Sequence, residues 1–463
     1  MSTLTNRKIN LLQATAINMI DMVGIGPFVT MPLVVAQFNN GLFIWAWIFG
    51  AFTALMDAMI WSELGAKYPL AGGTYNFHRI AFGEKGGKLM SFLFVWQTSI
   101  QAPLVVASGA IGFAQYLTYI VDLSLIEQKI VSGSLVILVF FLLYRKIETI
   151  GKISVVMGIV VVLTIVWIII SGLTHFHNPV KLLPEGGESF FSFAFWAAVG
   201  HASVKTVYSF LGYYNVCHLG GEIKRPEVNI PRSIFISIAG ITILYLLMNI
   251  SVMGVVPWQS INKDYKYLVS SFMETVHGGQ AGVIVTVLIL CIALSSLFAI
   301  VLGYSRVPYA AAVDGNFFKA FSKLHPTKNF PYVSLIFLCA LGFVFSLFMK
   351  LSEVISSILA MRIIVQFIGQ SVGVALLRNR FGSKYLPFKM ILFPIPVVIS
   401  ICIWLFLFLS TGWFALWGSL IAIAGIIVFY IVSKNRNESP ETGFLEKLNM
   451  EKGVQVNDTT EAK

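Results

Sequence analysis

The sequence predicts an all-α integral membrane protein of twelve transmembrane helices, and three observations carry that expectation. Of 463 residues, 57% are hydrophobic and only 11% charged, with a mean hydropathy of +0.82; soluble domains are not built this way. The apolar residues gather into runs near the length of about 20 that crosses a hydrocarbon core as a helix. The first of these runs is interrupted midway, where Asp21 stands one turn before Gly24-Ile25-Gly26-Pro27. Two glycines and a proline at mid-depth invite a helix to unwind, and the carboxylate beside them costs roughly 3 kcal/mol there. Loosened backbone at the midplane is tolerated only where it faces protein or a watery cavity, as in the broken helices of secondary transporters.

Taken in order, the runs fall at 11–36, 42–64, 88–121, 130–144, 153–173, 190–220, 232–256, 280–312, 332–349, 352–377, 389–410 and 412–433. Residues 1–10 are polar and lack a basic–apolar–small cleavage pattern, so the first run is expected to be retained as a span. The third and eighth are long enough to tilt or to project beyond the bilayer, and the fourth is short. Residues 434–463 alternate in charge and read as a solvated tail. A patch at Phe444, Leu445 and Leu448 offers membrane-surface docking as the alternative.

Lys and Arg exceed Asp and Glu by 32 to 21, a formal charge of +11. The excess lies in loops between apolar runs, which excludes a nucleic-acid-binding reading. Alternate loops differ sharply. Twenty-five basic residues fall on the side holding both termini and residues 67–88, 145–152, 224–232, 306–328 and 378–389. Only Lys129, Lys181, Lys263, Lys266 and Lys350 fall on the other. That bias places both termini in the cytoplasm of a multi-pass cell-membrane protein. The four cysteines, Cys217, Cys291, Cys339 and Cys402, show no paired or metal-ligand spacing and read as small core residues.

Several segments lie at the ends of the runs in a set order. Trp61-Ser62-Glu63-Leu64-Gly65-Ala66-Lys67-Tyr68-Pro69-Leu70-Ala71-Gly72-Gly73-Thr74-Tyr75 leaves the second, followed by Ala81-Phe82-Gly83. Gly220-Gly221-Glu222-Ile223-Lys224-Arg225-Pro226 and Pro231-Arg232 follow the sixth. Ser305-Arg306 and Ala311-Ala312-Val313-Asp314-Gly315 close the eighth. Tyr385-Leu386-Pro387-Phe388-Lys389, with Pro394 and Pro396, follows the tenth. From about residue 10 to residue 430 this ordered set resembles the amino acid–polyamine–organocation superfamily of permeases. The resemblance implies two five-helix repeats of inverted topology, residues 11–173 and 174–388, with the first helix of each broken at the substrate site. Residues 389–433 then supply two appended spans, residues 1–10 a cytoplasmic N-terminus and 434–463 a cytoplasmic tail. The sequence shows a matching pair of interruptions, Gly24-Ile25-Gly26-Pro27 in span one and Ser209-Phe210-Leu211-Gly212 in span six.

These residue types suit an α-amino acid. A helix restarted at mid-membrane offers free N–H groups and the positive end of its dipole to a carboxylate. Gly24 and Gly26 clear the approach, and Pro27 fits the first turn, where its missing N–H is least needed. Carbonyls freed at the end of the first half of span six accept from an ammonium. By the resemblance these come from Ser209, Phe210 and Leu211, and Tyr208 covers the substrate. The alternative reading of the glycines is close helix packing.

Four ionisable residues fall inside spans: Asp21, Asp57, Lys205 and Arg362, and burial favours pairing among them. His201, Lys205 and Ser209 share one helix face leading into the break. Similar proton-coupled permeases carry a lysine in span five, whereas residues 154–165 here are uncharged. Lys205 either takes over that role or forms a structural pair with an aspartate. Arg362 either binds an acidic substrate, closes a gate, or pairs with Asp57 or Glu353. Glu63, Glu222, Arg225, Arg232, Arg306 and Asp314 read as loop and gate anchors. A sodium site would draw on Ser295 and Ser296, although such serines usually bond their own helix.

The implied function is secondary transport of an amino acid by alternating access, as proton symport or as exchange with a counter-substrate, without a cofactor or metal. A polyamine or other organic cation is the rival substrate, disfavoured by Lys205 and Arg362. An amino-acid sensor on the same scaffold is a rival of another class. No nucleophile–base set suggests an enzyme.

Overall fold

A computed structural model of the chain describes residues 7–38, 41–184, 190–262, 267–349, 351–384 and 386–434. Residues 1–6, Lys263, Lys266, Lys350, Tyr385 and the tail beyond 434, with Phe444, Leu445 and Leu448, lie outside the described residues, as does the side chain of Glu353. The first half comprises α1 (Leu11–Met22), α2 (Gly26–Val35), α3 (Ile44–Lys67), α4 (Thr74–Ala81), α5 (Gly83–Leu117), α6 (Leu125–Leu143) and α7 (Ile147–Thr174). The second begins with α8 (Phe193–Phe210), α9 (Asn215–His218), α10 (Pro226–Met253), α11 (Leu268–His277), α12 (Gly279–Tyr304) and α13 (Arg306–Val313). It continues with α14 (Tyr332–Phe348), α15 (Leu351–Arg362), a π-helical turn (Ile363–Ile368), α16 (Gly369–Phe381), α17 (Ile395–Ser410) and α18 (Phe414–Lys434). Among the described residues only two isolated bridges, Ile9 with Ile223 and Ala71 with Leu219, resemble sheet pairing.

Eight stretches of helix are long and apolar enough to cross a membrane by length and composition, and α1 with α2 makes a ninth, bent by 45°. α14 and α17 are apolar but shorter, and α8 carries His201 and Lys205. α3 packs along α10; α1 lies against α10, as α8 lies against α3. α5 is wedged between α12 and α14, while α17 and α18 cover α3, α8 and α5 from outside. The outer faces stay apolar: Leu420, Ile423 and Ile427 of α18 and Ile159 and Leu163 of α7 are exposed, as lipid contact requires. α7 and α10 cross with backbones nearly touching. A Cβ on Gly172 would sit 2.4 Å from the Ser251 carbonyl oxygen, the close approach that small residues permit in membranes.

The elements depart from the sequence reading at identifiable points. α6 starts five residues before the expected 130, because Ser124 and Glu127 form a reciprocal cap that fixes its first turn. α4 and α11, read as loop, are short helices: α4 is buried along its whole length, and α11 turns Leu268, Val269, Phe272 and Met273 inward. The span expected at 352–377 contains the π-turn. Of the anchors expected on the cytoplasmic side, Arg306 pairs with Glu222 at 2.9 Å, Asp314 with Arg79 at 2.8 Å and Glu63 with Arg378, whereas Arg225 and Arg232 are exposed. All three carboxylates are buried or nearly so. An unpaired partner would leave a buried charge uncompensated.

Candidate functional site

Both interruptions are real, and each is displaced from its predicted bounds. The first is Val23-Gly24-Ile25; Gly26 and Pro27 already open α2, with Pro27 in its first turn. Ile25 supplies no side-chain cap. The N–H groups of Gly24, Ile25, Gly26 and Phe28 find no acceptor among the described residues, and the first intrahelical bond runs from Val29 to the Ile25 carbonyl. The second interruption is 211–214, so Ser209 and Phe210 are still helical. Gly212 adopts φ +123°, and a Cβ there would meet the Met22 nitrogen at 2.7 Å. The two breaks are therefore in direct backbone contact.

Between them lies a cavity of about 50 Å³, lined by α1, α2, α5, α8, α12, α15 and both breaks. It has room for about four waters. Asp21, Gly24, Ile25, Gly26, Tyr208, Ser209, Leu211, Gly212, Ser296 and Arg362 all line it. A Cβ on Gly24 would sit 2.6 Å from Ser296 Oγ, whereas one on Gly26 would lie 3.4 Å from the Tyr208 ring. Gly24 thus allows close packing against α12, whereas a Cβ on Gly26 would make only van der Waals contact with Tyr208 and Ser209. The Tyr208 hydroxyl lies 3.3 Å from that of Ser108 on α5.

The remaining predicted residues lie elsewhere. Phe210 packs edge-on against Trp47 and Tyr245. Asp57 sits outside the cavity lining and accepts from Trp61 Nε1 at 2.7 Å, Tyr213 Oη at 2.6 Å and Trp404 Nε1 at 3.3 Å. Its partners are neutral donors, so a pair with Lys205 or Arg362 does not describe it. Lys205 donates back to the His201 carbonyl at 3.2 Å, and His201 is exposed. Their shared face does not lead ionisable groups into the cavity. Ser295 donates to Cys291 of its own helix, while Ser296 donates to the Asp21 carbonyl at 3.3 Å.

Arg362 is 2% exposed and donates to the Tyr214 hydroxyl at 2.7 Å and to the Tyr304 hydroxyl, and among the described residues to no carboxylate; its predicted pair with Glu353 falls on a side chain outside them. Asp21 accepts from Asn215 Nδ2 at 2.8 Å, and the same amide donates to the Ala299 carbonyl at 2.7 Å.

Sequence reasoning missed these supporting groups. Asn18 Oδ1 accepts from the Val216 N–H at 3.0 Å and so caps the restart of span six. The Tyr245 hydroxyl on α10 lies 2.9 Å from the Met22 carbonyl and 3.0 Å from the Ser209 carbonyl, bridging the two breaks. The Ser209 carbonyl offered to an ammonium is thus already in use, and the Ser209 hydroxyl lies 3.0 Å from that of Thr30. A lone Asn or Tyr within an apolar run signals only that a partner exists, not which one.

The family model described as amino acid permease matches residues 9–433. The branched-chain amino acid permease BcaP of Bacillus subtilis (strain 168) is 22% identical over 93% of this chain and 94% of its own. The serine/threonine exchanger SteT of the same organism is 23% identical over 93% of this chain and 98% of its own. Its aspartate-proton symporter is 24% identical over 80% and 72%. With a match across nearly every described element, including both breaks and the cavity between them, this chain belongs to the amino acid permease family of the amino acid–polyamine–organocation superfamily.

Proposed function

We propose that this multi-pass permease carries an amino acid across the cell membrane by alternating access, and that the cavity between the breaks is its substrate site. One observation carries the reading: three residues whose backbone N–H groups lack acceptors among the described residues, Gly24, Ile25 and Gly26, line the same cavity as the end of α8. Such a helix start favours a carboxylate, and the α8 carbonyl end favours an ammonium. Loading a whole amino acid into about 50 Å³ must push the walls apart, which suits helices that rock around a fixed site.

The twelve-span layout, with repeats at 11–173 and 174–388 and spans appended at 389–433, belongs to the same reading. It is supported by the reciprocal packing of α1 on α10 and α8 on α3, and by one break in each leading helix. The relatives include an exchanger and a proton symporter, and we assign either exchange or proton coupling to this chain. Asp21 is the coupling candidate that shares the cavity with the substrate. Lys205, turned back on its own helix, suits a structural role. A buried guanidinium in the cavity disfavours polyamines and organic cations.

A counterflow screen in proteoliposomes, with common amino acids and polyamines as competitors, tests the function. Competition by at least one amino acid is expected, and a response to polyamines alone would overturn the reading. Topology is tested separately with the exposed Cys291 and Cys402 replaced. A membrane-impermeant thiol reagent applied outside cells should label Gln259→Cys and miss Ser383→Cys. The reverse pattern would invert the orientation drawn from the basic loops.

A further inference from the structure

We infer that Arg362 is a specificity-determining residue, selecting a substrate whose side chain is itself anionic, such as an acidic amino acid. The inference rests on the reading that the cavity takes an amino acid, and names which kind. A guanidinium has five N–H donors and no acceptor. Two neutral tyrosine hydroxyls, of Tyr214 and Tyr304, take one donor each, and Nε has no partner. Among the described residues the buried ion pairs are Arg79–Asp314, Arg306–Glu222 and Arg378–Glu63, and Arg362 belongs to none of them.

Asp21, the carboxylate lining the same cavity, is instead held by Asn215. A fully buried cation inside a membrane, without an anion in contact among the described residues, is expensive to maintain. The tyrosine hydroxyls hold the fork in place, and the Asp21 carboxylate acts on its charge through space without contacting it. An anion delivered by the ligand offsets that cost, and the planar fork matches a carboxylate in two-point geometry.

The α-carboxylate has a different seat. The free amides at the start of α2 come from one wall of the cavity, and Arg362 comes from another, at the end of α15. A π-turn follows Arg362 directly, and such turns in helices recur at functional sites. Two anion-binding elements on separate walls therefore call for a ligand with two carboxylates, and its single ammonium remains for the α8 end.

The test is competition in proteoliposomes of the full-length protein, using L-aspartate and L-glutamate against L-asparagine and L-glutamine. The wild type is expected to prefer the acids by at least ~30-fold, the scale of a buried charge pair. Arg362→Gln should abolish the preference by weakening the acids alone, and Arg362→Lys should restore part of it. Tyr304→Phe, which loosens the guanidinium, should narrow the preference if Arg362→Gln fails to fold. A ligand-induced rise in unfolding temperature, larger for aspartate than for asparagine, gives a readout independent of transport. Equal recognition of acids and amides by the wild type would overturn the inference while leaving amino acid transport standing. Equal weakening of acids and amides in Arg362→Gln would also overturn it, by seating the α-carboxylate on Arg362. Failure of any amino acid to compete would sink the underlying function instead.

Discussion

Gly26→Leu is expected to abolish uptake while leaving the protein folded and inserted. Gly26 is the first residue of α2, where a leucine is compatible with helix formation. Its first carbon would meet the Tyr208 ring at 3.4 Å and Ser209 Oγ at 3.5 Å, a fit that small shifts of a tyrosine ring relieve. The remaining carbons must go into the cavity, across the amides that the carboxylate needs. Uptake should fall at least ~100-fold, the effect of displacing a ligand from its main anion contacts. Gly26→Ala should fall between. Reconstituted uptake, with size-exclusion profiles to establish folding, measures both, and near-normal transport by the leucine variant would remove the site from this cavity.

Gly212→Ala should act by another route, through the fold itself. The residue sits at φ +123°, a conformation that L side chains rarely adopt. A methyl group there would meet backbone, with the Met22 nitrogen at 2.7 Å and the Asp21 carbonyl carbon at 2.8 Å. Backbone has no rotamer to give way, so the breaks must separate. A loss of roughly 2–4 kcal/mol is expected, strain and steric conflict combined, together with loss of uptake. Gly412 is the control: it has φ +62° and nothing within 4 Å of an added Cβ. Gly412→Ala should cost only about 1 kcal/mol. Thermal unfolding in detergent distinguishes the two, and equal midpoints for both variants would contradict the contact between the breaks.

What could be read in advance follows from which forces act locally. Gly24, Gly26 and Pro27 announce a break through backbone chemistry alone, and the structure places it within a residue or two. The apolar runs announce their helices because lipid leaves the backbone no other hydrogen-bonding partner. Charge partners did not follow. Asp57 was expected to seek a cation, but a tryptophan N–H one turn away on its own helix, and a tyrosine hydroxyl and a second tryptophan N–H from two distant parts of the chain, satisfy it. Lys205 was placed on the inward face by helical spacing, yet its flexible stem curls back to His201. The π-turn after Arg362 leaves no compositional mark, since Ile363-Ile364-Val365 reads as plain helix. Long side chains and helix irregularities are decided by neighbours that an apolar pattern does not identify.

Tyr245 carries a consequence in simple arithmetic. Its hydroxyl has one hydrogen, and two carbonyls lie within reach of it, one from each interrupted helix. A single proton serves one acceptor fully or both poorly. Two helix ends 187 positions apart in the chain, from Met22 to Ser209, thus share one donor, and strengthening the bond to either weakens the bond to the other.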